Sequence, residues 1–343
     1  MKIFDLEFYL LSSVRKVRAR VRQAFQKKQL SGYLFLRYLS VFVIAFNIFI
    51  SNTPPASKPM NSRANAGVVL SQETKAETTS MPVPQRIPGT AGFDGFLGRS
   101  ALVLDATTSA VLYEKDPTVK LPPASLTKMM TSLVVLDYRK LTDEVRVSEG
   151  CTKSDGAKVG FVAGQDFTVE SLLYALLLPS ASDAACALSE TLPLPGPEAS
   201  PSARFVAAMN KKAQQLGLKD TIYKNSVGLD EVEHYSTAAD LLILSKKFME
   251  TEDVGKIVAY DHKKITTVDG RVSFDLKNTN ELLSAASGFY GIKTGYTPKA
   301  LGCLSFLYKR DARQIIGVIL GSSDRFADAK NLVRWVFESY EWR

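Results

Sequence analysis

The sequence predicts an α+β fold, an α/β sandwich in which one antiparallel sheet carries helices on both faces. Two observations within residues 96–343 support it. Pairs of short apolar runs lie near both ends of this region, and apolar segments with helical periodicity lie between them. Strand pairs at both ends make the first and last strands neighbours in one sheet, so the helices between them are expected to cover it.

The predicted elements follow from the spacing of apolar residues. Short apolar runs on either side of a polar stretch predict a β-hairpin, and a late pair of runs predicts two strands joined by a polar turn. Segments with apolar residues every three or four positions predict helices. In chain order they are a hairpin at 101–104 and 110–113, helices at 124–138, 168–190 and 202–216, strands at 301–307 and 315–320, and a helix at 325–340.

The N-terminal residues predict a membrane segment with a basic leader. Residues 1–40 hold nine Lys and Arg residues against two acidic ones, which accounts for most of the net charge of +8. Residues 38–50 are thirteen mostly apolar residues without a charge. Because Lys and Arg collect on the cytoplasmic side of a membrane segment, residues 1–37 are expected to be a cytoplasmic leader. Residues 38–50 are then a signal-peptide core or a transmembrane anchor.

The fate of this segment stays open. Thirteen residues suit a signal-peptide core and are short for a span, whereas a charged leader of 37 residues is long for a signal. A small-x-small pattern occurs at Ala64 and Ala66, sixteen residues beyond Ile50. This distance favours an uncleaved anchor, with the rest of the chain outside the cytoplasm.

Residues 51–95 are predicted to be a flexible linker. Ser, Thr, Pro, Ala and Asn dominate, and no aromatic residue lies between Phe49 and Phe93, so little apolar surface is available for burial. Residues 96–343 then form one domain without an internal repeat. Its charge is nearly balanced, and it has no basic patch interleaved with aromatic residues, so no nucleic-acid partner is expected.

The cysteines and histidines contribute no predicted chemistry. Cys151, Cys186 and Cys303 are far apart and form no CxxC pair, so no disulfide framework is predicted. His234 and His262 have no acidic cluster at ligand spacing around them. Neither a metal nor another cofactor is therefore expected.

Ser125 and Lys128 are the first pair of candidate catalytic residues. They stand three apart in PPASLTK, at the start of a predicted buried helix, so their side chains share one face. Burial of Lys128 without an anionic partner favours the neutral amine, which can accept the Ser125 proton and create a nucleophile. The alternative is a lysine that extends to solvent from a helix end. An SxxK also occurs at 13–16, in the basic leader.

Lys293, Thr294 and Gly295 form a second candidate site in GIKTGYT, which is predicted to be a strand after a glycine-rich turn. A strand edge with an ammonium, a hydroxyl and a glycine suits an extended peptide that ends in a carboxylate and docks as an added strand. The alternative is an exposed hairpin with an ordinary Lys and Thr.

Taken together and in this order, ASLTK, Ser180-Ala-Ser182 and KTG resemble the serine penicillin-binding and β-lactamase superfamily. Longer segments, among them RSALVLDATTSAVLYEKD, VESLLYALLLPSASDAA and GIKTGYTPKALGC, look like blocks of the low-molecular-mass D-alanyl-D-alanine carboxypeptidases. The resemblance covers almost all of residues 99–340. It implies a β-lactamase/transpeptidase-like fold and a serine-type D-Ala-D-Ala carboxypeptidase, held at the cell membrane or secreted to the cell wall.

The resemblance also implies partners and residue roles. The substrate is a peptidoglycan stem peptide ending in D-Ala-D-Ala, and β-lactams are covalent inhibitors. Ser125 attacks the carbonyl of the penultimate D-alanine, with Lys128 as its base. The backbone N–H groups of Ser125 and Tyr296 match the oxyanion hole, and Thr294 binds the terminal carboxylate beside Gly295.

The middle motif departs from the family pattern. The family usually has Asn at its third place, where this chain has Ser182. Serine keeps a donor and an acceptor but is shorter, so the substrate amide is held more loosely or through water. Ser180, which with Lys293 is expected to handle the leaving-group proton, is retained.

Other functions use the same residues. A DD-endopeptidase or a transpeptidase stays open on the sequence. A class A β-lactamase needs a dedicated glutamate, and no ExxLN segment lies between Ser182 and Lys293. A non-catalytic sensor of β-lactams or peptidoglycan is the alternative from another class, with Ser182 as a sign of decay.

Overall fold

The computed structural model describes residues 82–196 and 200–343. Its helices are a 3₁₀ helix at Ala124–Leu126, α1 Thr127–Leu136, α2 Glu149–Thr152, α3 Val169–Leu177, α4 Ser182–Glu190, α5 Pro201–Gln215, α6 Ala238–Glu250, α7 Glu252–Ile257, α8 Leu282–Ala285 and α9 Arg325–Ser339. Its strands are β1 Pro84–Arg86, β2 Ser100–Asp105, β3 Val111–Lys115, β4 Glu144–Arg146, β5 Asp166–Thr168, β6 His262–Thr266, β7 Ser273–Lys277, β8 Phe289–Thr297, β9 Leu301–Arg310, β10 Arg313–Ser322 and β11 Tyr340–Trp342.

The main sheet has five antiparallel strands in the order β3-β2-β10-β9-β8. The strand β2, from the first predicted hairpin, pairs with β10, from the last predicted strand pair, with Val103 opposite Gly317. The sequence prediction that strands from both ends of the domain are neighbours is therefore confirmed. Strand β8, which carries the KTG motif, forms one edge of this sheet.

Alternate residues of the sheet pack into two separate cores. On one face of the sheet, Val103 and Ile319 pack in a core with Leu332 of helix α9. Leu104 and Val318 face the other side, which packs against the helical part of the domain, including α6. Successive side chains of a strand point to opposite faces, so a sheet buried on both sides needs apolar residues at every position. Helices cover both faces, as the sequence predicted.

The predicted helix at 168–190 is interrupted. Helix α3 ends at Leu177 and α4 begins at Ser182, and Pro179 stands between them. Proline has no N–H to continue the helical hydrogen bonds. Ser180 adopts a φ of +64° in this break. The interruption matters for function because it places both serines of the middle motif at a bend.

The domain begins before residue 96. Pro84–Arg86 pair as β1 with β11 at the C-terminal end, inside the region that composition predicted to be linker. The predicted leader at 1–37 and membrane segment at 38–50 lie outside the described residues. Within residues 82–196 and 200–343, no helix has both the length and the apolar character that a membrane span requires.

Cys151 and Cys186 form a disulfide, which corrects the prediction of no disulfide framework. The two residues are 35 apart in the sequence, but their Cα atoms are 5.3 Å apart. Cys151 lies on α2 and Cys186 on α4. Tertiary folding creates this proximity, so the cysteine spacing in the sequence carried no signal for it.

Candidate active site

A cleft of about 200 Å³ lies between the edge strand β8 and the helical part of the domain. Seven of the eight residues predicted for the site line it: Ser125, Lys128, Ser180, Ser182, Thr294, Gly295 and Tyr296. Lys293, the eighth, is buried behind this surface. The structure thus brings together residues from three motifs that are more than fifty residues apart in the sequence.

Ser125 and Lys128 touch at the junction of two helical segments. Ser125 lies in the 3₁₀ helix, and Lys128 lies in the first turn of α1. The Lys128 Nζ is 3.1 Å from the Ser125 Oγ, as the three-residue spacing predicted. Lys128 also donates to the backbone carbonyl of Val227, at 2.8 Å. These two contacts hold the amine against the Ser125 hydroxyl and exclude the alternative of a lysine extended to solvent.

Burial lowers the pKa of Lys128 to about 7. The side chain is only 2% exposed, and removal from water disfavours the ammonium form. The carboxylate of Asp183 opposes this effect and raises the pKa. The amine is therefore close to half deprotonated near neutral pH, which suits a group that must accept a proton.

The backbone before Ser125 is tightly enclosed. Ala124 has a φ of +47°, an unusual conformation for a residue with a side chain. A Cβ at Gly228 would lie 2.0 Å from the Ala124 carbonyl oxygen, and one at Gly295 would lie 2.9 Å from the Ser125 nitrogen. Only glycine allows these approaches, so two glycines place the loop at 228 and strand β8 directly against the backbone of Ala124 and Ser125.

Lys293 lies buried beneath β8. Its side chain is 1% exposed, and its Nζ donates to the Thr294 carbonyl at 3.0 Å. Burial, followed by the charges of Lys128 and Arg325, lowers the pKa of Lys293. The structure confirms the predicted strand and excludes the alternative of an exposed hairpin.

Thr294 is oriented by a residue that the sequence analysis did not identify. The Thr294 Oγ1 is 2.6 Å from the Thr279 Oγ1, which in turn lies 3.2 Å from the Leu178 carbonyl oxygen. Thr279 also lines the cleft. No motif marks Thr279, because its contact with Thr294 is made by tertiary folding alone.

Ser180 lines the cleft from the break between α3 and α4. Among the described residues, its Oγ is one of six buried side-chain polar atoms without a hydrogen-bond partner. Both the positive φ and the unpaired buried hydroxyl destabilise the folded state. Residues with such strain are common in functional sites. Within the described residues the Ser180 hydroxyl therefore keeps its hydrogen-bonding capacity unused.

Ser182 packs against the opposite loop. Its N–H donates to the Ala157 carbonyl at 2.7 Å. A Cβ at Gly156 would lie 2.8 Å from the Ser182 Oγ and 4.0 Å from a methyl of Leu229. The short side chain of Ser182 therefore fits closely beside Gly156, so this wall of the cleft matches a serine at the third place of the motif.

Arg325 also lines the cleft, at the first turn of α9. Asp324 caps the start of this helix, because its side chain accepts from two of the helix N–H groups. Burial lowers the pKa of Arg325. Arg325 therefore adds a basic side chain to the cleft lining, which favours a ligand with a carboxylate.

A serine hydroxyl on a buried lysine amine, beneath the edge strand of an antiparallel sheet, characterises the active-site-serine enzymes that act by acyl transfer. Comparison with known proteins specifies the class further. The peptidase S11 family model, described as D-alanyl-D-alanine carboxypeptidase, matches residues 92–324. The chain belongs to this family, which confirms the resemblance seen in the motifs.

Individual relatives support the same family assignment. D-alanyl-D-alanine carboxypeptidase DacF of Bacillus subtilis is 34% identical over 252 residues, which cover 71% of this chain and 63% of the relative. A D-alanyl-D-alanine endopeptidase of Pseudomonas aeruginosa is 34% identical over 251 residues, covering 69% of this chain and 76% of that protein. The chain therefore spans less than two thirds of the length of the B. subtilis relative.

The fold also matches a solved structure. The crystal structure of the Streptomyces K15 DD-transpeptidase superposes with a TM-score of 0.68 at 30% sequence identity. The superposition covers 72% of this chain and all of that chain. The predicted transpeptidase-like α+β fold with an antiparallel sheet is confirmed.

Proposed function

We propose that this protein is a serine-type D-Ala-D-Ala carboxypeptidase that removes the terminal D-alanine from peptidoglycan stem peptides through an acyl-enzyme on Ser125. The observation that carries the proposal is the contact of 3.1 Å between the Lys128 Nζ and the Ser125 Oγ, made by a buried amine with a pKa of about 7. Such an amine accepts the serine proton as the oxygen attacks the peptide carbonyl.

The remaining roles follow from position. The backbone N–H groups of Ser125 and Tyr296 form the oxyanion hole, because Gly295 lets β8 approach the nucleophile closely. The substrate docks along the free edge of β8, with its terminal carboxylate at Thr294. Ser180 delivers a proton to the leaving D-alanine, and a water molecule then hydrolyses the acyl-enzyme.

The test is mass spectrometry of the purified full-length chain. Incubation with benzylpenicillin is expected to add one covalent drug molecule at Ser125, and a pentapeptide ending in D-Ala-D-Ala is expected to lose one alanine. Labelling without alanine release would favour a non-catalytic sensor. Cleavage only of cross-linked peptides would favour the endopeptidase activity that the P. aeruginosa relative is named for.

Substitution of Ser182 by Asn, the usual residue of the family, is expected to lower acylation roughly tenfold. The Ser182 side chain is 2% exposed and lies directly beside Gly156, so two additional heavy atoms must displace this wall. Overpacking of a filled site costs about 1–3 kcal/mol. Second-order acylation rates with benzylpenicillin measure the effect. A faster reaction would show that the wall yields and that the carboxamide restores a substrate contact.

We further propose that residues 38–50 anchor the enzyme in the membrane, with residues 1–37 in the cytoplasm and the catalytic domain outside. The motivation is the basic leader before this segment and the polar stretch after it. Protease added to intact cells is then expected to release the catalytic domain. A native N-terminus near Gly67 would show instead that the chain is cleaved after Ala66.

A further inference from the structure

One wall of the cleft is a loop that helix α4 holds in place. This cleft loop, residues 153–161, presents Gly156 and Ala157 to the cleft, opposite strand β8. The Ser182 N–H donates to the Ala157 carbonyl, and the Ser182 Oγ abuts Gly156. The position of Ser182 relative to the substrate therefore depends on where the cleft loop lies.

Asp183 binds the far end of the same loop. Its carboxylate accepts from the N–H groups of Val159 at 3.3 Å, Gly160 at 2.9 Å and Phe161 at 3.4 Å. It also accepts from the Ala184 N–H at 2.9 Å. The side chain is completely buried. Among the described residues, none of the salt bridges involves Asp183, so its hydrogen-bond partners are backbone N–H groups. At longer range its charge also raises the pKa of Lys128.

A second tether acts at the near end of the loop. The disulfide between Cys151 and Cys186 joins α2, immediately before the cleft loop, to α4, one turn beyond Asp183. Helix α4 thus contacts the segment at three successive points: covalently before it, through Ser182 in its middle and through Asp183 at its end. A loop fixed at both ends by one helix has little freedom to move away from the cleft.

We propose that Asp183 is a positioning residue for the reaction, which, with the disulfide as a second tether, holds the cleft loop as a preformed wall of the substrate site. The inference rests on the proposed function, because it assigns the wall to the peptide substrate of the same cleft. Asp183 does not contact the reacting atoms. It acts through Ser182, Gly156 and Ala157, whereas the Lys128 amine is held by Ser125 and the Val227 carbonyl.

Asp183→Asn is the first test variant. It keeps the size of the side chain but turns an amide nitrogen toward N–H donors, so part of the hydrogen-bond set is lost. The cleft loop is then expected to exchange its amide hydrogens at least tenfold faster. The kcat/KM for a D-Ala-D-Ala peptide is expected to fall roughly tenfold, mainly through KM, since a displaced wall weakens binding. The comparison is made at a pH well above 7, where the Lys128 amine is neutral in both proteins, because Asp183 also raises the pKa of Lys128.

The matched control is Asp240→Asn. Asp240 is also a buried carboxylate that holds a loop, through the Asp220 N–H and the Thr221 hydroxyl, each at 2.7 Å. It does not line the cleft. A comparable loss of thermal stability is expected in this variant, with unchanged KM and unchanged exchange in residues 153–161. A KM that rises equally in both variants would overturn the proposal.

Replacement of both Cys151 and Cys186 by serine tests the second tether without touching Asp183. Faster exchange of the cleft loop and a higher KM are expected here too. If exchange in the loop rises in either test variant while KM stays at the wild-type value, the wall does not position the substrate and the proposal is wrong.

A failure of the proposed function can be told apart from a failure of the positioning role of Asp183. A wild-type chain that neither reacts with benzylpenicillin nor releases alanine would refute the enzyme assignment. Loop exchange in Asp183→Asn would still show whether Asp183 holds the wall.

Discussion

Replacement of Ser125 by alanine is expected to abolish both covalent penicillin labelling and D-alanine release, with the domain still folded. In the proposed mechanism the Ser125 hydroxyl is acylated, and its removal leaves a nearly isosteric side chain. Ser125 is partly exposed at the cleft floor and accepts a hydrogen bond from Lys128, so its loss creates no large cavity. Mass spectrometry after incubation with benzylpenicillin measures the covalent labelling, and a circular dichroism spectrum shows whether the domain is folded.

The chain offers a matched control for this experiment. Ser13 stands at the start of an identical SxxK spacing in the basic leader, where no other element of the site is predicted. Ser13→Ala is therefore expected to keep full labelling. Covalent adduct that persists in Ser125→Ala would disprove the assignment of the nucleophile.

Loss of the Lys128 amine is expected to lower the acylation rate nearly as much as loss of the Ser125 hydroxyl. Lys128→Ala removes the group that accepts the Ser125 proton, and general bases typically contribute about 10²–10⁴-fold to a rate. Substrate contacts along β8 are unaffected, so the loss is expected in the acylation rate rather than in binding. Single-turnover acylation with benzylpenicillin measures it. A variant that retains more than about a tenth of the wild-type rate would show that Lys128 is not the base.

The same role predicts the pH dependence of the wild-type enzyme. A base must be neutral to accept a proton, and burial lowers the pKa of Lys128 to about 7. Below that pH the ammonium form dominates, so the acylation rate is expected to fall about tenfold per pH unit. Above it the amine is neutral and the rate levels off. A rate independent of pH between about 5 and 8 would contradict this assignment.

The sequence by itself determined the outline of the fold, the family and the proximity of Ser125 and Lys128. Ser125 and Lys128 were found because a separation of three residues places two side chains on one face at a helix start, whatever the rest of the chain does. The strands at both ends were found because their apolar runs are local. The order of three motifs, together with the longer blocks, was specific enough to indicate the family that the comparison confirmed.

The tertiary structure decided what surrounds these residues. Lys128 donates to the Val227 carbonyl, 99 residues further along the chain. The hydroxyl of Thr279, which belongs to no motif, contacts the hydroxyl of Thr294 and orients it. The disulfide joins two cysteines that looked unrelated in the sequence. The bend at Ser180 divided a segment whose apolar spacing predicted one helix. Local periodicity reports only neighbours within a turn or two, whereas these contacts exist only after distant segments have packed together.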